Sequence, residues 1–519
     1  MLDLLDGFAI LFSDPYALAA VFAAALVGII FGALPGLTAS AAIAMLIPFT
    51  FQMKELGPIA SLALLYGIGK SGRYGGSIAA ILFNTPGTAA SAATMQDGFP
   101  LSRQGKAGKA LKTATVSSVV GDYFGEIVLI FGAVAIASVT RTFGPTEYFA
   151  IYVMAFIVIG SVVGQSIVKG ILSTLFGALV ALIGEDVITG QKRMTMGIAE
   201  LEDGMALVPL LIGVFVISEI VIQAEKNAKL KMIELGAVRS DDPTAGHFTW
   251  PEFRRCLPIM LRSSLVGSVI GMMPGLGSSV ACFVAYGEEK RRAKNREEWG
   301  TGIVEGIAAP ESANNAVSGP SMIPLLTLGI PGSTVAAVLI GVFLIHGLQV
   351  GPSIFDPNNM IIVGTEVLSS RQVIFALFAS GLVCIAAYGI IGYWGGPLIG
   401  RTIAAIPTRF LYPFIFLTAV AAAYSSRSSI WDVGFALLFG VVGYLMRRTQ
   451  FSAAAFIIAF VLAANMEEAF RQALMISDNG LLVFVTQPVA AAFLALGVGV
   501  VVFRAVTMRR QSKLALEAS

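Results

Sequence analysis

The sequence predicts an all-α polytopic membrane protein: two inverted-topology repeats with discontinuous or re-entrant helices and roughly 10–14 membrane segments. Three observations lead there. Of 519 residues, 56% are hydrophobic and 13% charged, with a mean hydropathy of +0.82, whereas soluble domains carry roughly 25% charged residues. The run from Leu26 to Leu37 returns as Leu265 to Leu276, with Leu, Val, Gly, Gly, Pro, Gly and Leu identical at matching positions. Loop charges are opposite at equivalent places in the two halves. Arg103, Lys106, Lys109 and Lys112 follow the second break of the first half, whereas Asp356, Glu366 and Arg371 stand at the counterpart in the second. Conversely, Lys290, Arg291, Arg292, Lys294 and Arg296 follow the first break of the second half, where the first half offers Lys54. Positive loops stay on the cytoplasmic side, so the halves are read as inverted.

Each element follows in order. The N-terminus is acidic, with Asp3, Asp6 and Asp14, and lacks the basic flank of a cleavable signal peptide, so the first apolar stretch is expected to be retained. Residues 15–51 and 59–95 are apolar but cut repeatedly by Gly, Pro, Asn, Ser and Thr. Longer runs at 113–139, 149–167, 170–184 and 205–223 complete a first membrane repeat over 1–230. Residues 231–256 read as a polar cytoplasmic linker. The second repeat, 257–519, opens with broken stretches at 257–286 and 303–351 and continues through 372–394, 411–424, 433–446, 452–465 and 487–503. It ends in a basic tail (Arg504, Arg509, Arg510, Lys513) placed in the cytoplasm. Proline removes a backbone donor and glycine permits almost any backbone angle, so each Pro-Gly marks a break. Paired breaks in corresponding positions of two halves point to a transport site.

The polar residues beside the breaks are the candidate substrate site. Half one supplies Pro35, Gly36, Thr38 and Ser40, then Asn84, Pro86, Gly87 and Thr88; half two supplies Pro274, Gly275, Gly277, Ser278 and Ser279, then Pro331, Gly332 and Ser333. A helix restarting at membrane depth presents free amides and the positive end of its dipole, which suits a carboxylate, while free carbonyls suit sodium. Against this, Ser and Thr also cap broken helices or let neighbours approach closely. Glu311, Asn314 and Asn315 are costly at a membrane edge unless used, although a solvated helix start with Pro310 in its first turn would also explain them. Gly69-Lys70-Ser71 hints at a phosphate loop, but that motif requires glycine where Leu64 stands, so nucleotide binding is rejected. Lys70 and Arg73 could attract an anionic substrate or snorkel to headgroups. Asp122 and Glu126, one turn apart in an apolar run, read as a proton or cation relay or as an interfacial turn. Arg262 is expected to snorkel, and Glu467, Glu468 and Arg471 to form an interfacial face. Two histidines (His247, His346) make a His-based triad or metal centre unlikely on composition, and no nucleophile–base pair suggests an enzyme. Cys256, Cys282 and Cys384 lack metal or disulfide spacing, and the net charge of +2 implies no nucleic-acid partner.

Several motifs together resemble the large membrane subunit of the tripartite tricarboxylate transporters. They are Gly32-Ala33-Leu34-Pro35-Gly36-Leu37-Thr38, Tyr74-Gly75-Gly76-Ser77-Ile78, Pro86-Gly87-Thr88, Asp97-Gly98-Phe99-Pro100-Leu101, the stretch Ala308 to Ala316, and the stretch Ile323 to Ser333. The resemblance implies the permease of a bacterial secondary transporter in the inner membrane. It implies two partners, a small four-helix membrane subunit and a periplasmic substrate-binding protein, and a tri- or dicarboxylate such as citrate as substrate. Transport would follow an ion gradient by alternating access, with no cofactor, and with sodium favoured over protons because hydroxyls and carbonyls predominate at the breaks. Asp122 and Glu311 are the candidate coupling residues. Gly69-Lys70-Ser71 replaces the aromatic and glycine residues usual before Tyr74-Gly75-Gly76, which suggests that Lys70 tunes anion selectivity. A passive organic-anion channel is the rival reading.

Overall fold

A computed structural model describes residues 2–34, 36–52, 57–162, 166–186, 188–226, 245–363, 366–406 and 408–517. The first half begins with α1 (Leu2–Ser13) and α2 (Pro15–Ala33). Pro15 sits in the first turn of α2, and the Asp14 side chain accepts from the Tyr16 and Ala17 amides, a cap that starts the helix. α3 (Ala39–Gln52), α4 (Gly57–Phe83) and α5 (Ser91–Leu101) follow. A wide turn at Ser102–Lys106, where Gly105 has φ 79°, leads to the long α6 (Ala107–Thr140). α7 (Pro145–Val162) and α8 (Ile167–Ala181) precede a short antiparallel hairpin, β1 (Gly184–Glu185) and β2 (Lys192–Arg193). α9 (Leu207–Leu211) continues through a wide turn into α10 (Ser218–Lys226).

The second half begins with another pair of broken helices. α11 (Trp250–Gly271), opened by a Thr249–Glu252 capping box, breaks before α12 (Gly277–Arg292). α13 (Val304–Ala316) and α14 (Ile323–Leu328) lead to a second break and α15 (Thr334–Ile345). A hairpin of β3 (Met360–Val363) and β4 (Glu366–Ser369) precedes the long α16 (Ser370–Ala405). α17 (Thr408–Arg427), α18 (Ile430–Arg448), α19 (Ala453–Ile476), α20 (Val483–Thr486) and α21 (Pro488–Glu517) complete the chain. Among the described residues, six helical paths are long and apolar enough to span a bilayer, and Gly480–Thr486 with Pro488–Val502 forms one more, bent by 78°. Shorter apolar helices at Ala39–Thr50, Pro145–Ser161, Ile167–Ala181 and Thr334–Ile345 accompany them. The chain is a multi-pass, all-α membrane protein.

Close packing explains the glycines. α2 lies along α4, and a Cβ on Gly32 or Gly75 would strike the partner helix's backbone. α11 lies along α13 in the same way, with Gly267 against Ala313 and Gly271 against Val317. Small residues let membrane helices approach closely where no hydrophobic force joins them. The long helices then cross between halves: α16 packs on α2 and α4, and α6 packs on α11 and α13.

Two expectations about elements change. The stretch 59–95 was expected to be cut repeatedly; α4 runs unbroken to Phe83, past Gly67, Gly72 and Gly75, which admit α2, Gly69, which admits Val335 and Ile43, and Gly76, which admits Ser91, and the break comes only after it. Pro310 lies inside α13, where every residue from Gly306 to Ala316 is buried, so Glu311 to Asn315 stand in the core and not at a solvated helix start. Of the expected linker 231–256, residues 231–244 lie outside the described residues and Trp250 already begins α11. Lys54 also lies outside them.

Candidate functional site

The breaks meet at one cavity of about 280 Å³. Its wall is made where four short helices begin. Thr38, Ala39 and Ser40 come from the start of α3, Thr88 and Ala90 from that of α5, Gly277, Ser278 and Ser279 from α12, and Ser333, Thr334 and Val335 from α15. The Thr38 hydroxyl accepts from the Ala41 amide at 3.2 Å, Thr88 from Ser91 at 3.3 Å, and Ser333 from Ala336 at 3.2 Å. These hydroxyls therefore cap their helices and face the cavity as well, so capping and binding are not alternatives here. Each helix start adds partial positive charge.

Two arginines complete the wall. Arg73 of α4 is 7% exposed; its Nη1 donates to Ser278 Oγ at 2.7 Å and to the Asn314 carbonyl at 3.4 Å, while its Nε is buried without a partner. Arg447, at the end of α18, reaches the cavity and pairs with Glu219 of α10, which also accepts from Gln223 Nε2 at 2.7 Å. Asn314 lines the cavity, as do Gly72 and Phe215, and no lining residue is an Asp or Glu. A guanidinium offers five donors in a planar fork that matches a carboxylate. The cavity wall thus combines guanidinium donors with helix starts.

The remaining predicted residues fall outside the cavity wall. Pro35 lies outside the described residues. Gly36 and Gly275, at matching positions of the repeat, turn the chain at φ 84° and φ 87°, a left-handed region that favours glycine. Gly87 rests on the Gly32 carbonyl, and Gly332 on the Ser321 backbone with the Gly271 carbonyl beside it, leaving no room for a Cβ. Pro86, Pro274 and Pro331 shape the same turns, and Asn84 points outward from the end of α4 with φ 53°. Asn315 is buried, donating Nδ2 to the Glu311 carbonyl at 3.0 Å.

Lys70 neither snorkels nor lines the cavity. It is fully buried, with Nζ 2.8 Å from Asp122 Oδ1 and 2.7 Å from Glu126 Oε2. Tyr66 donates to Glu126 at 2.9 Å, and Tyr388 to Asp122 at 3.2 Å. Asp122 and Glu126 are thus in the protein core and hold Lys70 between them. Arg262, half-exposed, makes a two-point contact with Glu289. Glu467 and Arg471 are tied into a charged cluster with Arg193 and Asp186, which fastens the β1–β2 hairpin to α19.

Glu311 has a different environment. It is fully buried, and three hydroxyls donate to it: Ser77 of α4 at 2.6 Å, Ser118 of α6 at 2.9 Å, and Thr94 of α5. No cationic side chain pairs with it among the described residues. Asp97, in contrast, accepts from the Gly300, Gly302 and Ile303 amides and from Tyr286, so it anchors the start of α13 onto α5.

Comparison with known proteins agrees with this architecture. Residues 18–458 match the model of the tripartite tricarboxylate transporter TctA family. An Agrobacterium vitis protein described as the uncharacterized 52.8 kDa protein in the TAR-I ttuC' 3'region is 36% identical over 510 residues, covering 97% of this chain and 96% of its own. A second, in the TAR-II ttuC' 3'region of the same organism, is 37% identical over 231 residues, covering 44% of this chain and 90% of its own. No solved structure matches. The chain belongs to the tripartite tricarboxylate transporter TctA family.

Proposed function

We propose that the chain is the permease of a binding-protein-dependent, ion-gradient-driven secondary transporter. It imports a tri- or dicarboxylate such as citrate across the bacterial inner membrane by alternating access. The observation that carries this reading is the cavity where four helix starts and Arg73 converge with no acidic residue in the wall. Its volume of about 280 Å³ suits a compact polar ligand, below the range of most drug-sized pockets. Both halves of the chain contribute, which supports an inverted repeat whose relative motion exposes the site to either side. A small four-helix membrane subunit and a periplasmic binding protein act as partners, and sodium is the coupling ion. Lys70 sits outside the carboxylate site in this reading. Its ammonium is taken up by Asp122 and Glu126.

The test is uptake of labelled citrate into proteoliposomes holding this chain and its small subunit, with binding protein outside. Accumulation that needs both binding protein and an inward sodium gradient supports the reading. Equilibration without accumulation would overturn it in favour of a passive pathway.

A further inference from the structure

Two buried groups of acids lie beyond the carboxylate cavity, and they differ in one respect. Asp122 and Glu126 already enclose a cation, the Lys70 ammonium, at 2.8 and 2.7 Å. That position is filled by the protein itself. Glu311 has no such partner among the described residues, although it is fully buried in the centre of the molecule. An ionised carboxylate without a counter-charge is among the most expensive groups to bury at membrane depth. A carboxyl so placed is neutralised either by a proton or by a cation bound from outside the chain.

The atoms around it identify the charge. Ser77, Thr94 and Ser118 reach Glu311 from three separate helices. A hydroxyl rotates freely between donating and accepting, so all three oxygens can turn their lone pairs inward when a cation replaces the donated protons. One carboxylate and three hydroxyls form a hard, all-oxygen donor set carrying a single negative charge, as a small monovalent metal ion requires. We propose that Glu311, Ser77, Thr94 and Ser118 bind the sodium ion that drives transport. The proposal rests on the transport reading given above.

Its position supplies the coupling. The cation site and the carboxylate cavity share the same three elements. On α4, Ser77 lies one turn beyond Arg73; on α13, Glu311 lies one turn before Asn314; on α5, Thr94 follows the cavity residue Thr88. A cation that draws Ser77, Thr94 and Glu311 together sets the positions of Arg73, Thr88 and Asn314. Carboxylate and sodium each favour the arrangement that the other needs, which is a reciprocal coupling of two sites.

The experiment measures ²²Na⁺ binding to the full chain in lipid nanodiscs without carboxylate, and the sodium-dependent rise in melting temperature against choline chloride. Wild type is expected to bind sodium and to gain thermal stability from it. E311Q, which keeps shape and loses charge, is expected to weaken sodium binding by about tenfold or more, and S77A or S118A by several-fold. E311Q should lose the sodium-dependent shift while retaining a cooperative unfolding transition in choline. Sodium binding by E311Q equal to wild type, or no sodium binding by wild type, overturns the assignment. Citrate binding is measured separately on wild type, so a protein that binds sodium at Glu311 but no carboxylate refutes the transport reading and leaves the cation site standing.

Discussion

In the proposed function, carboxylate recognition turns on Arg73. Its Nη1 is held by Ser278 and the Asn314 carbonyl, which fixes the guanidinium plane, and its buried Nε has no partner in the protein. A buried donor left unmade costs roughly 1–3 kcal/mol, a cost this arrangement of Arg73 carries. R73K keeps the charge but loses the planar fork, so citrate affinity is expected to fall by roughly tenfold to a hundredfold, measured by equilibrium binding, with little change in melting temperature. Lys70 behaves in the opposite way. Replacing it with Ala strands two buried carboxylates, at a cost of about 3–5 kcal/mol, so K70A is expected to unfold at markedly lower temperature. A K70A protein as stable as wild type would show that the cluster is not structural. Nothing local in Gly69-Lys70-Ser71 distinguishes a ligand contact from an internal ion pair, because Asp122 and Glu126 stand more than fifty positions away. Arg447 was hidden for a similar reason: beside Arg448 it reads as the charged end of a span, and only the fold brings it to the cavity.

At the scale of elements, the Pro-Gly breaks were the most legible feature, since backbone chemistry alone dictates where a helix stops. Thr38, Ser40, Thr88, Ser278, Ser279 and Ser333 were found from those breaks because a restarting helix places its first residues at the gap. The role of the glycines within α4 was not legible, because a glycine that frees the backbone and one that admits a neighbouring helix look the same in sequence. The structure separates them by what a Cβ would meet. Gly32 and Gly271, matched in the repeat, each face the backbone of the paired helix. G32V and G271V are each expected to destabilise by about 1–3 kcal/mol through forced separation of α2 from α4 and of α11 from α13, read as loss of thermal stability. Comparable losses for the two variants would mark them as equivalent positions; a neutral G271V would break the equivalence.

For the whole molecule, the long helix of each half crosses onto the paired helices of the other. That arrangement places one cavity at the meeting of both halves, with residues of neither sufficient to close it. A cavity made of four helix starts gives the account its central claim, that both halves grip a single carboxylate. Cysteine protection measures this most directly. T38C probes the first half and S278C the second, each labelled in proteoliposomes with a small thiol reagent against a wild-type control in which Cys256, Cys282 and Cys384 are buried. The account predicts that citrate slows labelling at both positions with the same concentration dependence. Protection at one position alone, or at neither while citrate is being transported, would contradict it.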